Sequence, residues 1–408
     1  MAHSKIGFHV GVGGNHDGLG DWMRRINKAG YSFGLKSIDS YGQLGEALQV
    51  GRQYGISNWL IYRMAKASGK VSRETPIYTN APQQDAIDLC REVISKLPPE
   101  FDQIVWLELL NEIRGKLGPD DQMYNNMSAC DYIGEWCLAA ARFLNERGYK
   151  FVGPSFNSGE PGENGQPLSD AVTQYSQPGM LEYLRYCAKN SGMAGLSVHE
   201  YSWDRWMQGE APANWYPALW GRFEAAIAAA DLNNIPRTFP IFVTEFGFGF
   251  DEVPTYPSVT SYFDARNQQL ARWPQVKFDA AWALQKYGRG KAHQQANTWM
   301  QYDATKVFPE GVQPATTHAS FGSTLPSSSP PPSPSRPTKP KPGDTRYVAA
   351  KVALNMRSGP STAHEVIRAL SRGTAVKILE TGRWSKIQVN GNVGFVASRF
   401  LSPVKLTA

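Results

Sequence analysis

Ile104-Val105-Trp106-Leu107-Glu108-Leu109-Leu110 is a short, almost unbroken apolar run, and Asn111-Glu112 follows it at once. Its length suits a strand better than a helix. Seven more strand-like runs are spaced along the chain, at 6–11, 33–38, 59–64, 151–155, 196–201, 241–246 and 278–284. Between them lie helical patterns such as 83–97, 132–147 and 217–230. Helices are expected to end at Gly30, Gly55, Gly148 and Gly192, because a glycine pays no penalty for positive φ at a C-terminal cap. Strands alternating with helices imply parallel strands joined by right-handed crossovers. Eight such units in about 300 residues predict an α/β fold of the (β/α)8 type. An open sheet binding a dinucleotide is disfavoured, since Gly11-Val12-Gly13-Gly14-Asn15 lacks the G-x-G-x-x-G spacing.

The chain has 408 residues, 41% hydrophobic and 19% charged, with 12 Trp. That aromatic content excludes a disordered chain. With a mean hydropathy of −0.41 and no run near ~20 apolar residues, a membrane span is excluded as well. The four cysteines (Cys90, Cys130, Cys137, Cys187) are too sparse for a disulfide scaffold and lack paired metal spacing, so buried free thiols are expected. The N-terminus runs from Met1-Ala2-His3-Ser4-Lys5 straight into a strand, without the apolar core of a secretory signal.

Residues 326–342 contain eight Pro and five Ser, a composition that cannot bury a core. As polyproline II it would form a semi-rigid spacer of roughly 50 Å at ~3.1 Å per residue. The expected domains are therefore a barrel at 1–318, a linker at 319–345 and a small all-β module at 346–408. The net charge of +6 is uneven: the module carries ten Lys/Arg against Glu365 and Glu380, hence +8, and the other 345 residues carry −2. Such a module favours anionic polymers.

Functional residues of a barrel lie at the C-terminal ends of its strands. Read there, the chain offers Asn111-Glu112 after the fourth strand and Thr244-Glu245-Phe246-Gly247 at the seventh. A carboxylate has no packing reason to follow an apolar run, and strands four and seven face each other across an eight-stranded ring. Two facing carboxyl groups are what glycoside hydrolysis requires: one protonates the leaving oxygen, and the other attacks the anomeric carbon or activates water.

Val105-Trp106-Leu107-Glu108-Leu109-Leu110-Asn111-Glu112 resembles the strand-four signature of family-5 glycoside hydrolases and of the wider clan of retaining (β/α)8 glycosidases. Val243-Thr244-Glu245-Phe246-Gly247 resembles the clan's nucleophile segment, and His199-x-Tyr201 its strand-six pair. The resemblance implies Glu112 as acid/base, Glu245 as nucleophile, Tyr201 bonded to that nucleophile, Asn111 on the sugar 2-hydroxyl and Trp282 under the sugar ring. Glu108 reads as a framework carboxylate. Trp203, with Trp206 and Trp215, is a candidate stacking platform for a chain-like carbohydrate. The clan's strand-two arginine and a histidine near strands three or four have no counterpart, and Lys36 and Arg63 are the nearest candidates for substrate contact. Glu160 and Glu163 are expected to be solvated.

The tail, with Leu354-Asn355-Met356-Arg357-Ser358-Gly359-Pro360-Ser361 and Gly394-Phe395-Val396, resembles the bacterial SH3-like domain and reads as five or so short strands. That resemblance implies a non-catalytic module that binds cell-wall material. Together these features predict a retaining enzyme that cleaves β-glycosidic bonds of a polysaccharide or oligosaccharide, secreted or wall-associated, without metal or organic cofactor. A carbohydrate polymer would be its partner, with no nucleic acid and no membrane insertion. The alternatives are a wall-lytic glycosidase acting on peptidoglycan and a non-catalytic carbohydrate-binding barrel.

Overall fold

The computed structural model describes residues 2–11, 16–115, 123–162, 168–201, 219, 221–247, 258–284, 296–310, 341–348, 353–361, 364–371, 373–382 and 384–402. The chain divides into two compact units, Met1–Ser323 and Thr324–Ala408. The division falls inside the expected linker, whose residues 319–340 lie outside the described ones.

In the first unit, eight parallel strands close into a barrel: β1 (Ile6–Val10), β2 (Gly34–Ile38), β3 (Trp59–Arg63), β4 (Trp106–Glu108), β5 (Lys150–Phe156), β6 (Ala194–Tyr201), β7 (Ile241–Gly247) and β8 (Val276–Leu284). Closure comes from β8 pairing with β1, with Ile6 opposite Asp279 and Phe8 opposite Ala281. Each expected strand is present, to within a residue or two at most ends. The fourth is the exception, shortened to three ladder residues. There, turn hydrogen bonds to Asp102 hold Ile104 and Val105 at one end, and the Asn111 N–H leaves the ladder for the Glu74 carbonyl at the other.

Side chains alternate across each strand, and the inward set explains both core and site. Ile61, Trp106, Val152, Phe242, Phe278 and Ala280 fill the barrel interior. Gly34 admits the Phe278 ring: a Cβ there would lie 1.9 Å from the ring's Cγ. One pleat further on, toward the C-terminal ends, the same faces carry polar groups: Lys36 after Gly34, Arg63 after Ile61, Glu108 after Trp106 and Trp282 after Ala280. The opposite faces pack against the helices α1 (Leu19–Lys28), α2 (Gly42–Tyr54), α3 (Pro82–Ser95), α4 (Ala129–Asn145), α5 (Leu168–Tyr175), α6 (Pro178–Lys189), α7 (Glu224–Leu232) and α8 (Ser258–Leu270).

Gly30, Gly55 and Gly148 adopt positive φ (85°, 69° and 81°), as expected of caps. Gly192 does not: α6 stops at Lys189, and the N–H groups of Met193 and Ala194 bond back to the Asn190 carbonyl, so the turn is made without a left-handed glycine. The helix expected at 217–230 begins only at Glu224. All four cysteines are buried and free. No described helix is long and apolar enough to cross a membrane.

Among its described residues the second unit is an antiparallel sheet of seven strands, two of them short, where five or so were expected: β9 (Thr345–Val348), β10 (Ala353–Arg357), β11 (Val366–Ser371), β12 (Ala375–Glu380), β13 (Trp384–Val389), β14 (Asn392–Ala397) and β15 (Leu401–Ser402). They run in the order β11-β10-β14-β13-β12-β9-β15 around a core that includes Val348, Met356, Ile378, Ile387 and Val396.

Candidate active site

Glu245 lies near the end of β7, and its place depends on an irregularity. Strict alternation from Phe242 puts Thr244 on the inner face and Glu245 on the outer one. The pairing shifts between Val198 and His199 on β6, and again between Val243 and Phe246 against β8. A bulge of this kind re-aims a side chain. Both neighbours therefore reach the barrel mouth: the Thr244 hydroxyl donates to Glu108 Oε1 at 2.6 Å, and Glu245 meets the cations of strands two and three.

Those cations are Lys36 and Arg63. Lys36 Nζ donates to Glu245 Oε1 at 2.9 Å and pairs with Glu108 Oε2, while Arg63 Nη2 lies 3.4 Å from Glu245 Oε1. Both cations thus lie against one oxygen of the same carboxylate. His9 Nε2 approaches the same oxygen at 3.5 Å. The other oxygen, Oε2, accepts from the Tyr201 hydroxyl at 2.6 Å and lies 3.5 Å from His199 Nδ1. Burial alone would raise the Glu245 pKa. The fields of His199, Lys36 and Arg63, with the His9 ring close by, outweigh it and hold the carboxyl well below the usual range. Burial pushes His9 down to about 4, so its imidazole is neutral near pH 7. It pushes the Tyr201 phenol well up, and the adjacent Glu245 charge adds to that, so the phenol keeps the proton it donates.

Glu108 is the framework carboxylate its position suggests. It is fully enclosed and accepts from Thr244 and from Ser155 Oγ at 2.6 and 2.7 Å. Burial opposes its charge, but Lys36 above all, then His199 and Arg63, hold its pKa far below normal. Lys36→Met leaves this carboxylate buried without its closest cation, an arrangement that typically costs about 3–5 kcal/mol. Both carboxyls are depressed, so the network's stabilisation is complete above the unfolded glutamate value of ~4.3 and fades as pH falls through the folded values. The Lys36→Met deficit, read by urea unfolding, should therefore be large at pH 7 and shrink in acid.

Glu112 is placed by backbone. It is exposed, and its φ of 50° lies in the left-handed region, which a non-glycine residue occupies only when its surroundings impose it. The imposing contacts are the Asn111 N–H on the Glu74 carbonyl (3.0 Å), the Ile113 N–H on Ser155 (3.2 Å) and the Asn157 N–H on Ile113 (3.0 Å). Gly115 completes the fit, because a Cβ there would lie 2.5 Å from the Pro161 ring. Glu160, expected in solvent, is instead half-buried and accepts the Gly115 N–H at 3.2 Å; burial pushes its carboxyl up to about 7. Glu163 lies outside the described residues.

The turn brings Glu112 to the nucleophile candidate. One carboxylate oxygen of Glu112, one ring nitrogen of His199 and one oxygen of Glu245 all lie within 4.8 Å of one another. Among the described residues, this trio is also the one group of His, Cys, Asp or Glu side chains close enough to share a metal ion. Lys36 and Arg63 already supply positive charge to its Glu245. Among the described residues, none hydrogen-bonds the buried amide oxygen of Asn111, an acceptor beside Glu112. Trp282 is half-buried, its ring 6.2 Å from that of Tyr201 and 6.5 Å from that of His9. Trp203, Trp206 and Trp215 lie outside the described residues.

Of the candidates, Lys36, Arg63, Asn111, Glu112, His199, Tyr201, Glu245 and Trp282 thus gather at one end of the barrel. Sequence reasoning passed over His9, Glu74, Ser155 and Thr244. His9 carried a signal, since it puts a polar ring inside the otherwise apolar strand β1.

Residues 352–402 match the family model described as the bacterial SH3 domain. No curated protein matches the chain in sequence. Similar solved structures include a family 5 xyloglucanase from Paenibacillus pabuli, at 12% identity over 70% of this chain and 91% of that one, with a TM-score of 0.38. A GH5-4 broad specificity endoglucanase from Clostridium acetobutylicum covers the same shares at 13% identity and a TM-score of 0.37. Another, from Ruminococcus champanellensis with bound cellotriose, is 10% identical over 64% of this chain and 76% of that one, with a TM-score of 0.39. The first unit is a closed eight-stranded parallel barrel, and the bacterial SH3 match falls on the antiparallel sheet of the second.

Proposed function

We propose that the chain is a retaining glycoside hydrolase that cleaves β-glycosidic bonds of a polysaccharide or oligosaccharide by double displacement. The observation that carries this reading is that one carboxylate oxygen of Glu112 and one of Glu245 come within 4.8 Å of each other at the C-terminal end of the barrel. Retaining enzymes hold their two carboxyl groups about 5–5.5 Å apart, and inverting ones hold them roughly 6.5–9.5 Å apart to leave room for water. The same closeness favours catalysis over a carbohydrate-binding barrel without activity. Glu245 attacks the anomeric carbon and forms a glycosyl ester while Glu112 protonates the departing oxygen. Glu112 then takes a proton from water, which releases the sugar with its configuration kept. Tyr201 holds one nucleophile oxygen, and Lys36 with Arg63 keeps the other charged and ready. Asn111 accepts from a sugar hydroxyl, and Trp282 forms the platform beneath the ring.

The direct test is digestion of soluble β-glycans and purified cell walls, with the first-formed anomer followed by proton NMR. A β-anomer appearing first is expected. Release of the α-anomer would replace retention by inversion, and no cleavage of any β-linked material would remove the reading.

The bacterial SH3 match and the +8 charge of residues 346–408 support a targeting role on anionic wall material, in keeping with an enzyme that works outside the cell or on the wall. They also favour peptidoglycan as the second substrate to try. Truncation near Ser320, close to the end of the first unit, should leave hydrolysis of a small soluble glycoside unchanged. Wall binding should drop, and that of the full chain should weaken with salt, since exposed charges are screened within about 10 Å at 0.1 M. Equal wall binding by both forms would remove the targeting role.

A further inference from the structure

The loop between β3 and α3, residues 64–81, holds no catalytic motif, yet it touches both halves of the site through one residue. Glu74 offers its backbone carbonyl to the Asn111 N–H at 3.0 Å, next to the left-handed Glu112. Its side chain reaches the other way. Oε1 lies 3.6 Å from Arg63 Nη1, while the same guanidinium presents Nη2 to Glu245 at 3.4 Å. Oε2 accepts the Lys66 N–H at 3.0 Å, closing the loop on itself. The loop is tied down on either side: Arg73 pairs with the buried Asp85 of α3 at 3.0 Å, and Lys70 Nζ donates to the Asp39 carbonyl at 2.7 Å.

From this double attachment we infer that Glu74 is a positioning residue, fixing the Asn111-Glu112 turn and the Arg63 guanidinium in one frame. The inference rests on the glycosidase reading for its kinetic consequence. Two separate effects follow. As a backbone acceptor, Glu74 keeps the turn that aims Glu112 at the leaving oxygen. As a carboxylate, it draws one end of Arg63 away from the mouth, so the arginine's charge is shared by Glu74, Glu108 and Glu245. The side chain secures the backbone effect only indirectly, by closing the loop on Lys66, which is why two substitutions separate the effects.

Glu74→Ala opens the loop and should expose the Asn111 amide. Its hydrogen exchange should accelerate roughly tenfold or more, toward the low-stability end of local opening, while the amides of β7 stay protected. Turnover of a glycoside with a poor leaving group should fall about 10- to 100-fold, within the range that general acid catalysis supplies. A dinitrophenyl glycoside, which needs no acid, should lose far less. Glu74→Gln keeps an acceptor for Lys66, so Asn111 protection and the leaving-group ratio should return to the parent values. Its removed charge leaves Arg63 to Glu108 and Glu245, and the acid limb of kcat/KM should move to lower pH. Unchanged Asn111 exchange in Glu74→Ala would overturn the clamp, even if the chain hydrolyses no glycoside at all. Equal losses on both leaving groups would show a general structural role instead. If Glu74→Ala does not fold, Glu74→Gln decides: an unmoved acid limb would overturn the sharing of Arg63.

Discussion

Glu245→Gln should abolish turnover on every β-glycoside, with a loss of at least about 10⁴-fold, or roughly 5.5 kcal/mol of barrel-mouth chemistry. The amide is nearly isosteric with the carboxylate and leaves the surrounding cations in place, so the fold should survive. On the proposed mechanism it removes the anionic oxygen that would form the glycosyl ester. A 2-deoxy-2-fluoro glycoside with a good leaving group should label the parent protein, and mass spectrometry should find the sugar on the peptide containing Ile241–Gly247. The variant should take no label. Label on another residue, or substantial activity in Glu245→Gln, would end its assignment as nucleophile. The environment adds a pH signature. Lys36, Arg63, His199 and His9 overcome the burial penalty and keep Glu245 ionised deep into acid. The acid limb of kcat/KM should therefore lie below the ordinary glutamate value of ~4.3, and a limb at or above it would mean that another group controls attack.

The barrel was legible because its strands are apolar runs separated by helical spacing, and that period survives without knowledge of any contact. Lys36, Arg63 and Glu108 were legible for a related reason: each interrupts an apolar strand with a charge, and a charge enclosed in a barrel needs a partner. What sequence could not supply is which charges meet. Arg63 belongs to strand three, yet its guanidinium reaches Glu245 on strand seven. The orientation of Glu245 was equally hidden. Thr244 and Glu245 are neighbours, and strict alternation sends one of them outward; a register shift in the pairing brings both in. Glu160 was misjudged because a loop composition rich in Gly and Pro does not reveal that the segment folds back over Gly115. Glu74 had no sequence signal at all, because its main contribution runs through a backbone carbonyl that any residue type carries.

Glu112→Ala should separate the two steps of the reaction in a way that no packing defect imitates. Glu112 is exposed at the mouth, so its removal creates no cavity and should leave stability near the parent value. On a substrate with a poor leaving group, loss of the proton donor should cost about 10²–10⁴-fold, the range typical of general acid catalysis. A dinitrophenyl glycoside departs without protonation, so the first step should survive and Glu245 should still be glycosylated. The second step then lacks its base. The ester should accumulate, visible as a burst of released phenol followed by slow turnover. Azide is small, anionic and needs no base, so added azide should restore turnover and yield a β-glycosyl azide. Glu108, enclosed and bound to Lys36, Thr244 and Ser155, is poorly placed to take over either role. Full activity of Glu112→Ala on a poor leaving group would nevertheless transfer the acid/base assignment to Glu108. A burst without azide rescue would leave Glu245 as nucleophile and move the base elsewhere in the mouth.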